Sequence, residues 1–163
     1  MCIRDSHSGS ILILDEAYLS FVANPWNSLS MLKYSNIMLI RSMTKNYANT
    51  ALRLGYAVAS ADIVSKIRAL QPDWSVNSLA QKVGIAALED NEYISNARRV
   101  VFSARSYLKK ALTELGLETI PSDANFLLIK VENASKWRYL LLKKGVVVRD
   151  LSLIHISEPT RPY

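Results

Sequence analysis

Short, unbroken apolar runs alternate along this chain with longer stretches whose apolar positions recur every three or four residues. That alternation predicts strands and helices in turn. Ile11-Leu12-Ile13-Leu14 and Asn36–Ile40 read as strands buried on both faces, the pattern of parallel sheets. Between them, a polar stretch with Asn24, Pro25 and Asn27 gives way to a short helical pattern over Ser28–Tyr34. A polar loop, Ser42–Thr50, leads to a third strand at Leu54–Ala59. Ser60-Ala61-Asp62 then opens a helix whose apolar face is Ile63, Val64, Ile67 and Leu70.

Gln71-Pro72-Asp73 breaks that helix. A second helix is expected from Ser75 or Val76 to Leu88, and the longest from Asn91 to Leu115, stopped by Gly116. Leu117–Ile120 and Asn125–Val131 read as strands around a Pro121-Ser122-Asp123 turn. A helix over Ala134–Lys144 and a strand at Val146–Arg149 complete the pattern. The order argues for the α/β class, with one structural unit giving way to another inside the long helix.

The two ends carry an unusual relationship. Met1-Cys2-Ile3-Arg4-Asp5-Ser6 can be encoded by ATG TGT ATA AGA GAC AG, and the reverse complement of that string encodes Leu-Ser-Leu-Ile-His-Ile. Residues Leu151-Ser152-Leu153-Ile154-His155-Ile156 spell that peptide. The pattern resembles a transposase-type sequencing adapter translated at both ends, so both ends are set aside from fold reasoning. The expected organisation is 1–6 and 151–163 adapter-derived, 7–105 the C-terminal part of a large domain, and 106–150 the N-terminal part of a small one. The remainder is then a fragment of something longer.

Composition narrows the chemistry. Half of the 163 residues are hydrophobic and 21% are charged, which suits a packed core rather than disorder. No apolar run reaches the roughly 18 residues of a membrane-spanning helix. Setting the ends aside removes the only cysteine, Cys2, and leaves His7 as the only histidine. Ser-His-Asp and Cys-His catalysis and Cys/His zinc sites therefore cannot be assembled from what remains. The net charge stays at +6, with 18 basic and 12 acidic residues. A basic nucleic-acid-binding domain is a competing class for such a charge. Against it, the basic residues are spread over helices and loops, and no RNP, zinc-finger or helix-turn-helix pattern stands out.

Three features converge on one kind of chemistry. Asp15 follows a buried strand, Lys45 lies in the loop after another, and Arg53 stands eight residues further on. Ligands bind at the carboxyl ends of strands in open α/β sheets, so Asp15 and Lys45 would share an edge. Ser42 and Arg53 would add a hydroxyl and a planar fork suited to phosphate oxygens. An acid, an amine and an anion cradle are the parts a pyridoxal phosphate enzyme needs: the amine forms an imine, and the acid keeps the ring nitrogen protonated.

Asp15-Glu16-Ala17-Tyr18, then Ser42-Met43-Thr44-Lys45 with its lysine thirty residues after the aspartate, then Ala51-Leu52-Arg53-Leu54-Gly55-Tyr56, closely resemble the class I/II aminotransferases. Within them the chain looks most like the group of histidinol-phosphate aminotransferase and threonine-phosphate decarboxylase. The resemblance covers residues 9–150. It implies the fold-type I architecture: a large, mixed and mostly parallel sheet domain, then a small α/β domain. It also implies that Lys45 is the Schiff-base lysine, that Asp15 pairs with the pyridine nitrogen, and that Tyr18 bonds the ring's 3-hydroxyl. Ser42, Thr44 and Arg53 would hold the cofactor phosphate, and Arg149, in Arg149-Asp150, would meet the substrate's acidic end.

The same resemblance implies transamination of an amino acid or amino-acid phosphate, with decarboxylation as the alternative, in a homodimer. Cysteine usage, the lack of a long apolar run and the scattered basic residues add the expectation of a cytoplasmic protein binding neither nucleic acid nor membrane. Trp74-Ser75-Val76-Asn77 favours the decarboxylase branch; structurally it reads as a helix start with an aromatic packed beneath it. Asn125 before Phe126-Leu127-Leu128 also matches a family element. The family's glycine-rich phosphate loop, ring-stacking aromatic and 3-hydroxyl asparagine are expected upstream of residue 7, and its main carboxylate-binding arginine downstream of residue 150. The fragment alone is therefore expected to be inactive, with apolar sheet edges exposed.

Overall fold

A computed structural model describes residues 10–152. The 1–6 segment, and 151–163 apart from Leu151 and Ser152, lie outside the described residues. Strands β1 (Leu12–Asp15), β2 (Ile37–Ser42) and β3 (Gly55–Ala59) form one sheet in that order. β1 and β2 run parallel, from Leu12 opposite Ile37 to Asp15 opposite Ile40. β3 returns antiparallel, from Met38 opposite Ala59 to Ser42 opposite Gly55. β2 is central, which explains its unbroken apolar sequence: Ile37, Met38 and Leu39 are buried, Leu39 completely. The core around them includes Phe21, Met43, Ile63 and Ala80.

The expected Ser42–Thr50 loop opens instead with a single helical turn, α1 (Met43–Asn46), closed by the Tyr47 N–H donating to the Met43 carbonyl at 3.3 Å. Polar composition suggested a loop; burial of Met43, Thr44 and Asn46 against the sheet made the turn. Helices α2 (Ala61–Leu70) and α3 (Ser78–Glu89) follow. Asn77 caps α3 by accepting from the Ala80 N–H at 2.8 Å. Trp74 is not packed beneath this start, as expected, but 97% exposed. The cap fixes α3 without it.

Helix α4 (Tyr93–Glu114) runs unbroken through residues 105 and 106. It stops where Gly116 adopts a positive φ of 75° and the Leu117 N–H turns back to the Leu112 carbonyl. Beyond it, β4 (Glu118–Ile120) and β5 (Leu128–Lys130) form a second, antiparallel sheet. Helix α5 (Ala134–Leu142) is capped by Asn133, which accepts from the Lys136 N–H at 2.9 Å. The strand expected at Val146–Arg149 is not formed. Extended chain becomes a strand only through a ladder, and no described strand lies beside it.

Candidate active site

The parallel pairing of β1 and β2 brings their carboxyl ends to one edge of the sheet, and the predicted residues other than Arg149 gather there. Asp15 is the last residue of β1. Its Oδ1 accepts from the Ala17 N–H at 2.9 Å, an Asx turn that swings the chain off the sheet toward Tyr18. From the end of β2, the turn of α1 carries Lys45 to the same place, with Nζ 5.3 Å from the centroid of the Tyr18 ring. That is cation–π range. The edge of this cluster opens on a cleft of about 500 Å³ lined in part by Asp15, Tyr18, Val22 and Trp26.

Ser42 and Thr44 are joined hydroxyl to hydroxyl on either side of Met43. The β2–β3 ladder brings Arg53 alongside: Ser42 faces Gly55, and the Met43 N–H donates to the Leu54 carbonyl at 3.0 Å. Arg53 has φ of 53°. An L-residue with a side chain pays about 1–2 kcal/mol for that left-handed conformation, and such outliers gather at functional sites. Its guanidinium is exposed and donates to the Thr50 carbonyl at 3.3 Å, leaving most of its donors available to an anion.

Behind this edge lies an ion pair that sequence reasoning passed over. Arg41 Nε donates to Glu16 Oε2 at 2.9 Å, and Glu16 is 7% exposed. Burial, the largest single influence, lowers the Arg41 pKa; hydrogen bonds to and charge interactions with Glu16 and Tyr56 together outweigh it, so the guanidinium ends above its ordinary value. Asn46 was also missed. Its Nδ2 donates to Ser20 Oγ at 3.2 Å, while Arg98 of α4 donates to the Ser20 carbonyl at 3.0 Å, tying the long helix to the turn after Tyr18. Phe126 meets the Tyr18 ring edge to face, centroids 5.3 Å apart. Local sequence held one cue for these residues, since Glu16 and Asn46 stand directly beside Asp15 and Lys45.

Asp15, Tyr18, Ser42, Thr44, Lys45 and Arg53 are thus placed around one sheet edge by short-range geometry. Arg149 is not joined to them: it is exposed in the segment after α5, and among the described residues no hydrogen bond or ion pair links it to that cluster. Chemically, the edge offers an amine, an exposed carboxylate, a phenol, two hydroxyls and a guanidinium. That donor set fits a phosphorylated ring with a basic nitrogen and an aldehyde, the shape of pyridoxal phosphate. Among the described residues no group of His, Cys, Asp and Glu could hold a metal ion, and no helix is long and apolar enough to cross a membrane.

A sequence profile of aminotransferase class I and II matches residues 3–161. Histidinol-phosphate aminotransferase 1 of Nitrosococcus oceani is 36% identical over 146 residues, 87% of this chain and 40% of the relative. Among solved structures, the histidinol-phosphate aminotransferase of Clostridium acetobutylicum superposes with a TM-score of 0.80 at 30% identity, covering 88% of this chain and 45% of that one. The L-threonine-O-3-phosphate decarboxylase of Porphyromonas gingivalis gives 0.74 at 26% identity, covering 91% and 47%. The chain therefore spans about two fifths of the length of the curated relatives it matches. With the profile running along nearly the whole sequence and the fold agreeing, the chain belongs to the class I and II aminotransferase family.

Proposed function

We propose that the full-length protein is a pyridoxal phosphate-dependent aminotransferase of the histidinol-phosphate aminotransferase kind, acting on an amino acid or an amino-acid-derived phosphate ester. The observation that carries this reading is the convergence of Asp15, Tyr18, Ser42, Thr44 and Lys45 on the carboxyl edge of β1 and β2. When bound, the cofactor supplies an electron sink for bonds breaking at the substrate's α-carbon. Lys45 is the amine that holds the cofactor and, once released, moves a proton at that carbon as base and then acid. Asp15 holds a proton at the ring nitrogen, and Tyr18 donates to the ring oxygen. The Ser42 and Thr44 hydroxyls, with Arg53, bind the phosphate.

Arg149 is proposed to receive the acidic end of the substrate, and the unit boundary is placed at 105–106 within α4. The resemblance supports a cytoplasmic homodimer. A second reading, decarboxylation of a phosphorylated amino acid, is favoured by the Trp74-Ser75-Val76-Asn77 stretch and by the similarity to the P. gingivalis enzyme. Borohydride reduction of the full-length holoenzyme followed by peptide mapping tests the core claim: the phosphopyridoxyl label is expected on Lys45, and a label elsewhere overturns it. Incubation with histidinol phosphate plus a 2-oxo acid, against threonine phosphate with carbon dioxide trapping, then separates the two reactions.

A further inference from the structure

Glu16 and Arg41 stand one residue away from Asp15 and Ser42, on opposite sides of the site's own side chains. Asp15 faces Ile40 in the parallel ladder, and the Glu16 N–H extends that ladder one step by donating to the Ile40 carbonyl at 2.8 Å. Side chains alternate along extended chain, so Asp15 and Ser42 fall on one face while Glu16 and Arg41 fall on the other. There the carboxylate and guanidinium close at 2.9 Å, with the Glu16 side chain 4% exposed. Arg41 also donates to Ser28 Oγ at 3.4 Å; Ser28 is fully buried in the turn between β1 and β2. Across β2, Arg41 faces Tyr56 of β3. One guanidinium therefore touches the exit of β1, the crossover turn and β3.

We infer that Glu16 is a positioning residue for the cofactor site: through Arg41 it locks the exit of β1 to the exit of β2, holding Asp15 in register with Ser42 and Lys45. The inference rests on the proposed cofactor reading. A buried carboxylate with a single charged partner is a costly way to add stability alone, because desolvation offsets much of the attraction. Its geometric effect is specific, since a shift between the two strand exits moves the ring-nitrogen contact relative to the phosphate cradle.

The test uses apoenzyme made from the full-length protein, titrated with pyridoxal phosphate by absorbance, beside the thermal midpoint of the same apoenzyme. Glu16→Gln keeps the shape and removes the charge. The expected result is a rise of about tenfold or more in the cofactor dissociation constant, with inorganic phosphate binding to the apoenzyme changed less than about twofold, because the Ser42, Thr44 and Arg53 cradle stays intact while Asp15 moves away from it. Glu16→Asp is expected to recover part of the loss. Equal weakening of phosphate and cofactor, or cofactor affinity unchanged while the midpoint falls, overturns the inference and leaves the pair as a fold element. Should Glu16→Gln not fold, Ser28→Ala loosens the far end of Arg41 without leaving a buried charge unpaired, and the same comparison decides. Failure of the wild-type protein to bind cofactor sinks the functional reading itself, and is seen before any variant is made.

Discussion

The Lys45 ammonium lies 5.3 Å from the centre of the Tyr18 ring, and that ring is in turn met by Phe126, at an interplanar angle of 84°. One tyrosine is thus held between the lysine that follows β2 and an aromatic from beyond α4. A double-mutant cycle on Tyr18→Leu and Phe126→Leu should give a coupling of about 1 kcal/mol in chemical denaturation, the worth of an edge-to-face pair. A coupling near zero would mean that the rings touch without holding each other.

Arg53 combines strain with charge. Arg53→Gly should raise unfolding stability by about 1 kcal/mol, because glycine enters the left-handed region freely. The same change should weaken cofactor binding about tenfold or more through loss of a charge-assisted phosphate contact. Denaturation and cofactor titration of one variant read both effects. Movement of both in the same direction would contradict the assignment.

Gly55 allows the close approach of β3 to β2. A Cβ there would meet the Arg41 carbonyl oxygen at 2.9 Å, which is backbone and cannot swing aside. Gly55→Ala is expected to destabilise the fold by about 1–3 kcal/mol and to disturb Arg41 and Ser42 together. Thermal unfolding, read with hydrogen exchange at β2, checks it.

Two asparagines end their strands of irregular chain in the same way, Asn77 on α3 and Asn133 on α5. Asn77→Ala and Asn133→Ala should each cost about 1 kcal/mol, and Asn→Ser at either site should recover most of it. Circular dichroism melts of the four variants give the comparison.

Asp150 accepts a hydrogen bond from Ser135 Oγ at 2.6 Å, the largest influence holding its carboxyl below the usual carboxylate range. A depressed pKa means the contact helps folding above the unfolded-state value and is lost as pH falls through the lower, folded-state value. Carbon-detected titration of Asp150 should show the low midpoint, and Ser135→Ala should move it up. An unmoved midpoint would show that the serine does not matter.

Much of this molecule was legible in its residues because the signals were local. The apolar run of β2 announced a buried strand, although the same kind of run in β1, at the end of the described sheet, leaves Ile13 53% exposed. The lysine thirty residues after Asp15 announced a shared edge once strands were assumed parallel. Trp74 and Val146–Arg149 were misread for one reason. An aromatic near a helix start and an apolar extended segment each look buried or paired from their own sequence, but burial and pairing depend on what arrives from elsewhere. Trp74 had no element above it, and Val146–Arg149 had no ladder partner among the described strands.

By itself, the sequence determined most of the order of strands and helices and the spacing that sets Asp15 and Lys45 at consecutive strand ends. Those features depend on backbone preference and periodicity, which act over a few residues. Only the tertiary structure decided that β3 runs antiparallel, that Glu16 closes on Arg41 across 25 residues, and that Phe126 reaches Tyr18. Contacts of that range leave no local mark, since their free energy comes from surfaces that meet only after the chain has folded.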